Sequence, residues 1–270
     1  MLEKTIQGVG QDSVSSVVQI LLRKNAVLTQ AWQDVTAFAQ PGDKSIAFPR
    51  MDNQFQVQKL VGSEKGDDQE LVFGTDVLAL TEEAHIQWVI KKFDQARSKV
   101  EILQSAVNEA TIEQAISLNQ DLYTEFLAGV TLTPINGVIS QVNVVAMITA
   151  LNTALVPADN RTFIFGVDAY GKLIGIDGFV DASKSNLDIV RTGQIGTLYG
   201  IPVLVSSVIA TGTGILTHKQ ALAYGFGAAP AIESEPAIEY GTGSRRWVMD
   251  QLYGQKTLNK GKMGVVITGV

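Results

Sequence analysis

The sequence predicts an α+β protein, and three stretches carry that expectation. Residues 81–129 hold the longest helical signal. Residues 36–80 carry short β-branched and alternating runs around a polar, glycine-rich stretch. Residues 130–235 switch repeatedly between helical and strand patterns, as a mixed layer does. At 270 residues the chain is long enough for about two domains.

The elements follow in order. Residues 1–35 read as an arm with one amphipathic helix. Asp12 or Ser13 caps it, and Val14, Val17, Val18, Leu21 and Leu22 recur at helical spacing before Arg23 and Lys24. A single helix is not stable alone in water, so this one must dock on its own body or on a neighbour. Residues 44–48, 55–61 and 70–73 read as strands. Residues 62–68, Gly-Ser-Glu-Lys-Gly-Asp-Asp, form an exposed tip between the last two. The expected structure is a long β-hairpin with a charged end, marginal unless packed on something.

From Thr81, with Glu82 and Glu83 at the positive end of the dipole, Ile86, Val89, Ile90 and Phe93 make one helical face. Val100, Leu103 and Val107 continue it. Thr111 and Gln114 have capping-box spacing, which predicts a break near residues 108–110 and a second helix ended by Gly129. Ser140 caps a further helix through Val144, Ile148 and Leu151, stopped by Pro157. Residues 162–167 and 201–209 read as buried strands. Residues 169–174 read as a helical turn, 181–191 as polar loop and 218–224 as a last short helix. Residues 247–252 and 264–268 complete the strands, with a turn expected at Tyr253-Gly254.

Composition excludes several functions. With no Cys there is no disulfide framework, thiolate metal site or cysteine nucleophile. No apolar run reaches the ~20 residues of a membrane helix, and the start lacks the pattern of a secretory signal. The net charge of −6 argues against tight wrapping of nucleic acid. Only 18% of residues are charged, against about 25% in ordinary soluble domains. Mean hydropathy is +0.15. Either the core is unusually large or much surface is committed to permanent interfaces. The arm, hairpin and long helix favour interfaces, since none of them can cover its own apolar face.

Motifs for chemistry fail on context. Residues 193–200 read G-x-x-G-x-x-x-G and feed a strand, whereas a dinucleotide loop needs G-x-G-x-x-G before a helix. Thr211, Gly212, Thr213 and Gly214 read as a strand-exit turn. His85, beside Glu82 and Glu83, does not close a metal site. His218, beside Lys219, has no carboxylate partner in sequence. No G-x-S-x-G elbow presents a serine, and Ser206 and Ser207 lie in an apolar strand. Asp67-Asp68, Glu82-Glu83 and Glu233/Glu235 read as solvated charge. Arg245 and Arg246 beside Trp247 form the one basic–aromatic cluster, suited to a phosphate or, more ordinarily, to an intersubunit salt bridge. No catalytic, cofactor-binding or metal-binding residue is assigned and no cofactor is expected.

The order of elements, together with local sequence, resembles the tailed-bacteriophage major capsid proteins. A helix end followed by Pro157, Arg161 and the strand TFIFGV matches a recurrent pattern there. So do the glycine-rich run Gly193, Ile195, Gly196, Gly200, Val203 and Ser206, and an aromatic-Gly pair, Tyr253-Gly254, before MGVVIT. The resemblance spans most of the chain. It implies the phage capsid (Johnson) fold, shared with encapsulin and herpesvirus shells. In it, residues 1–35 are the N-terminal arm and 36–80 the extended loop with the start of the peripheral domain. Residues 81–130 are the peripheral domain with its spine helix, 131–235 the axial domain, and 236–270 strands returning to the body.

The resemblance also implies a function: a non-enzymatic major capsid protein assembled as pentamers and hexamers into an icosahedral shell around double-stranded DNA. Its partners would be itself, a separate scaffolding protein, a portal and a decoration protein, with weak nonspecific DNA contact and no membrane. Assembly in the host cytoplasm and a place in the virion capsid follow. A fused scaffold is not expected, because the extended loop is reached within some forty residues. An encapsulin-type compartment around a cargo enzyme is the alternative. An unrelated α/β enzyme using Arg245, Arg246 and a carboxylate is a third reading.

Overall fold

The computed structural model describes residues 26–40, 42–51, 57–59, 65–97, 102–176, 179–181 and 194–269. The helix expected within residues 12–24 and most of the polar loop expected at 181–191 lie outside these. Among the described residues, thirteen strands form three sheets. They are β1 (Gln33–Asp34), β2 (Ser45–Met51), β3 (Phe73–Ala79), β4 (Glu82–Ile90), β5 (Ile135–Asn136), β6 (Arg161–Phe165), β7 (Phe179–Asp181), β8 (Gln194–Leu198), β9 (Ile201–Val205), β10 (Thr213–His218), β11 (Leu222–Pro236), β12 (Arg245–Thr257) and β13 (Gly264–Thr268). The α-helices are α1 (Lys92–Arg97), α2 (Ile102–Gly129), α3 (Gln141–Thr153) and α4 (Tyr170–Leu173).

The seven-stranded sheet has the order β5-β13-β10-β6-β9-β8-β7. Alternation along β6 sends side chains to two cores. Phe163 and Phe165 join Val144, Met147 and Leu151 of α3 on one face. Ile164 joins Leu118 and Leu122 of α2 on the other. Ser140 caps α3 as its sequence predicts, its Oγ accepting from the Asn143 N–H at 3.4 Å.

The four-stranded sheet has the order β1-β11-β12-β4. The region from Thr81 is therefore a strand and not the first turns of a helix. Ile86 and Ile90 satisfy both periods, but Ala84, Ile86, Trp88 and Ile90 also alternate, and nine-residue pairing with β12 decides for the strand. The long helix begins later and has no break. At 28 residues it spans about 42 Å. Thr111 does not cap a second helix, because its hydroxyl donates to the Val107 carbonyl one turn back at 2.7 Å. Gly129 ends α2, as expected. There the Thr257 hydroxyl donates to the Glu125 carbonyl in the last turn at 3.0 Å.

Three further expectations change. Residues 218–224 hold only a three-residue 3-10 turn at Lys219–Ala221, and the chain then enters the 15-residue β11. Gly227 and Pro230 do not interrupt β11, because register shifts at Phe226/Ala228 and Ala228/Ala231 absorb them. Tyr253-Gly254 lies inside β12, and the turn between β12 and β13 falls at Asn259–Gly261. The last ten residues of the segment read as an arm pack on the body, with Gln30 and Asp34 left exposed. Ala26, Leu28, Ala31, Trp32 and Val35 are all buried. Trp32 stacks on Phe126 at 5.4 Å and donates through Nε1 to Thr217 Oγ1 at 3.0 Å.

Residues 131–235 contribute to both larger sheets, since β11 pairs with β12 while β5 to β10 lie in the seven-stranded sheet. The final strand, β13, returns to the seven-stranded sheet between β5 and β10.

Candidate functional site

A hairpin forms the third sheet, but it pairs the first of the expected strands with a run that begins only at Phe73. β2 and β3 pair antiparallel from Ser45↔Ala79 to Met51↔Phe73. The second strand starts at Phe73, three residues after the expected start, and residues 57–59 are not strand. Its base is anchored. Ile46, Leu78 and Leu80 pack with Val35, Ala223 and Leu258. Asp76 accepts from Arg50 within the hairpin and, through Oδ2, from the Asn259 N–H of the β12–β13 turn at 3.3 Å. That one carboxylate ties the hairpin to the body. An aspartate inside an apolar strand is the sequence signal that marks it, because Asp is depleted in strands.

Further out, the described residues leave the apolar side chains of the hairpin exposed. Val57, Leu71, Val72, Phe73 and Val77 are all exposed, Val57 by 90%. Gln58 and the Asp67 backbone exchange two hydrogen bonds, at 2.7 and 3.2 Å, which join residue 58 to the charged tip. Asp67 and Asp68 are exposed there.

A second uncovered apolar surface lies on α3, which has no charged residue. Its buried side faces the sheet, while Val142 and Val145 are exposed together with the flanking Val138 and Leu155. Val142 and Val145 line an open groove of about 610 Å³ together with Leu132, Ala146, Thr149 and Ala150. A soluble helix ordinarily turns a polar face outward. At the far end of the four-stranded sheet, Phe93, Ile238 and Tyr240 are also exposed.

The residues weighed for chemistry are dispersed. His85 is on β4, where Nδ1 meets Asp250 Oδ1 of β12 at 2.5 Å on an exposed sheet face. Arg246 pairs with Glu235 and Glu239 of its own chain, and Arg245 donates to Ser234 at 3.2 Å. Neither arginine lines the groove on α3 or the polar groove of about 560 Å³ between residues 29–34 and 218–224. His218 does line the polar groove. Its Nδ1 accepts from the Gln220 N–H at 3.1 Å, and burial holds its pKa below the ordinary 6.5 despite nearby Asp159, with Arg161 adding to the effect. The imidazole is neutral and fastens a turn. The Ser206 hydroxyl accepts from the Val208 N–H at 3.4 Å. The glycine-rich run makes the tight β8–β9 turn through Tyr199 and Gly200, both with positive φ. Among the described residues no three His, Asp or Glu side chains gather as a metal would require.

Against known proteins, no family profile and no curated sequence matches the chain. Solved structures do. The capsid of Ralstonia phage GP4 is 11% identical with a TM-score of 0.68, covering 89% of this chain and 87% of that one. The mature capsid of bacteriophage PhiM1 is also 11% identical, with a TM-score of 0.64 over 92% and 86%. The virus-like particle from Pyrococcus furiosus is 12% identical, with a TM-score of 0.62 over 95% and 98%. The chain has the phage capsid (Johnson) fold. In particular it has the hairpin and the long helix expected from its sequence resemblance.

Proposed function

We propose that this chain is a major capsid protein. Copies associate as pentamers and hexamers into an icosahedral shell that encloses packaged double-stranded DNA, assembled in the host cytoplasm. The observation that carries the reading is the near full-length likeness to subunits of three shells, a likeness of the whole chain and not of one module. The uncovered apolar surfaces of the hairpin and α3 support it, since a shell covers such surfaces with neighbours.

In this reading residues 36–80 reach over a neighbouring subunit, and residues 131–235 meet their copies around the five- and sixfold axes. Residues 1–35 are the arm, 81–130 the peripheral domain, and 236–270 the returning strands. A separate scaffolding protein, a portal and a decoration protein complete the assembly. DNA contact is weak and nonspecific, as the acidic balance favours. The likeness to a virus-like particle keeps a second reading, an encapsulin-type compartment around a cargo enzyme.

The test is sedimentation of the chain expressed alone and with its gene neighbours, followed by analysis of particle contents. Large particles holding nuclease-protected DNA support the phage reading. Large particles holding an enzyme and no DNA replace it with the compartment. A monomer under every assembly condition contradicts both.

A further inference from the structure

Polar contacts fasten α2 to β12 along its length, from Gln114 to the Glu125–Thr257 pair at the helix end. Gln114 Nε2 donates to the Met249 carbonyl at 3.4 Å. One turn further along, the Tyr253 hydroxyl donates to Asp121 and accepts a hydrogen bond from Ser117. Gln251 lies midway between Met249 and Tyr253 on β12, so its side chain shares their face and points at α2. Gln251 is 3% exposed and Gln114 2%. Both amide atoms of Gln251, and Oε1 of Gln114, are buried with no hydrogen-bond partner.

Three buried polar atoms without a partner, on facing residues of the seam between α2 and β12, require a ligand, because buried amides in native proteins are nearly always hydrogen-bonded. The seam is also narrow in side-chain volume there. Ala84 is the register partner of Gln251, and Ala115 follows Gln114. Exchanging the oxygen and nitrogen of Gln114 would set an acceptor against the Met249 carbonyl, and exchanging those of Gln251 still leaves both of its amide atoms without a partner. We propose that this point is a binding site for ordered water, with one molecule bridging Gln114 and Gln251 between the long helix and the sheet. Such a water donates to Gln114 Oε1 and to Gln251 Oε1 and accepts from Gln251 Nε2. That gives it three hydrogen bonds, the usual number for an internal water. Trp88 Nε1 and Gln255 Oε1 are also unpaired, but each is a single atom elsewhere on the seam and neither defines a site.

The experiment has two arms on the full chain. An experimental structure at a resolution that shows ordered water is expected to place density within hydrogen-bond distance of both glutamines. A direct Gln114–Gln251 hydrogen bond with no density between them overturns the proposal. In the second arm, Gln114→Leu, Gln251→Leu and the double variant are unfolded in denaturant. Each single variant is expected to raise the unfolding equilibrium constant about tenfold, by leaving the water and the remaining amide short of partners. The double variant, with a dry seam, is expected to recover at least part of that loss. Strictly additive effects overturn the proposal, and the density arm stands if a variant fails to fold.

Discussion

A methyl group placed on Gly254 of β12 would lie 1.9 Å from the carbonyl oxygen of Ala79, the last residue of the hairpin. The hairpin leaves the body across this contact, and only a residue without a side chain lets the two backbones pass. Gly254→Ala is expected to destabilise the subunit by about 3 kcal/mol, because the obstructing atom is backbone and has no rotamer to adopt. Gly171→Ala, in α4 with nothing within 4 Å, is the control and is expected to be neutral or slightly stabilising. Denaturant unfolding of the two variants checks the contrast.

Asp76 holds the hairpin through Arg50 and the Asn259 N–H. Asp76→Ala is expected to leave the two larger sheets intact, cost about 1 to 2 kcal/mol and free the hairpin base. Hydrogen exchange reads this directly. Protection is expected to fall in β2 and β3 and to persist in β6 and β10.

Deleting residues 62–68 removes only the charged tip. The subunit is expected to fold with unchanged thermal stability, since an exposed polar tip adds little core. Assembly is expected to fail or slow, as light scattering would show. Normal shells from this deletion would remove the tip from intersubunit contact.

His218 makes stability depend on pH with a definite sign. Its folded pKa lies below the ordinary 6.5, chiefly through burial, with Arg161 lowering it and Asp159 opposing. Above pH 6.5 neither folded nor unfolded chain binds the proton, and the effect is absent. As pH falls below that value the unfolded chain takes up a proton that the folded chain refuses, so stability declines. His218→Gln is expected to flatten this acid limb in a series of melts between pH 7 and pH 5.

Tyr253 gives the opposite limb. Burial, then the bond to Asp121, raises its pKa above the ordinary 10.0. Above pH 10 the unfolded chain releases a proton that the folded chain keeps, and stability falls. Tyr253→Phe is expected to lose about 1 to 2 kcal/mol at neutral pH and to be less sensitive to alkali.

Much of this fold is legible in sequence where one period stands alone. Ser140 and the apolar stripe of α3 have no competing reading, and neither does the strand from Gly264 to Thr268. The region from Glu82 to Ile90 carries both periods through Ile86 and Ile90, and only pairing with a strand some 160 residues later separates them. Glycine is ambiguous for a physical reason. Gly200 makes a turn, whereas Gly254 permits a backbone crossing, and the two look alike in one dimension. The hairpin and α3 were readable as elements. Their uncovered apolar residues were not, because exposure is set by which neighbours the fold supplies. Asp76, the residue that fixes the hairpin, was readable only as an odd aspartate in a strand.

The central claim is that these uncovered surfaces are covered by other copies of the chain. Cryo-electron microscopy of the assembled protein tests it most directly. A closed icosahedral shell of five- and sixfold clusters is expected, with each hairpin lying on a neighbour and α3 inside a subunit contact. A well-formed shell in which the hairpin and α3 remain open to solvent, or a chain that never assembles, would contradict it.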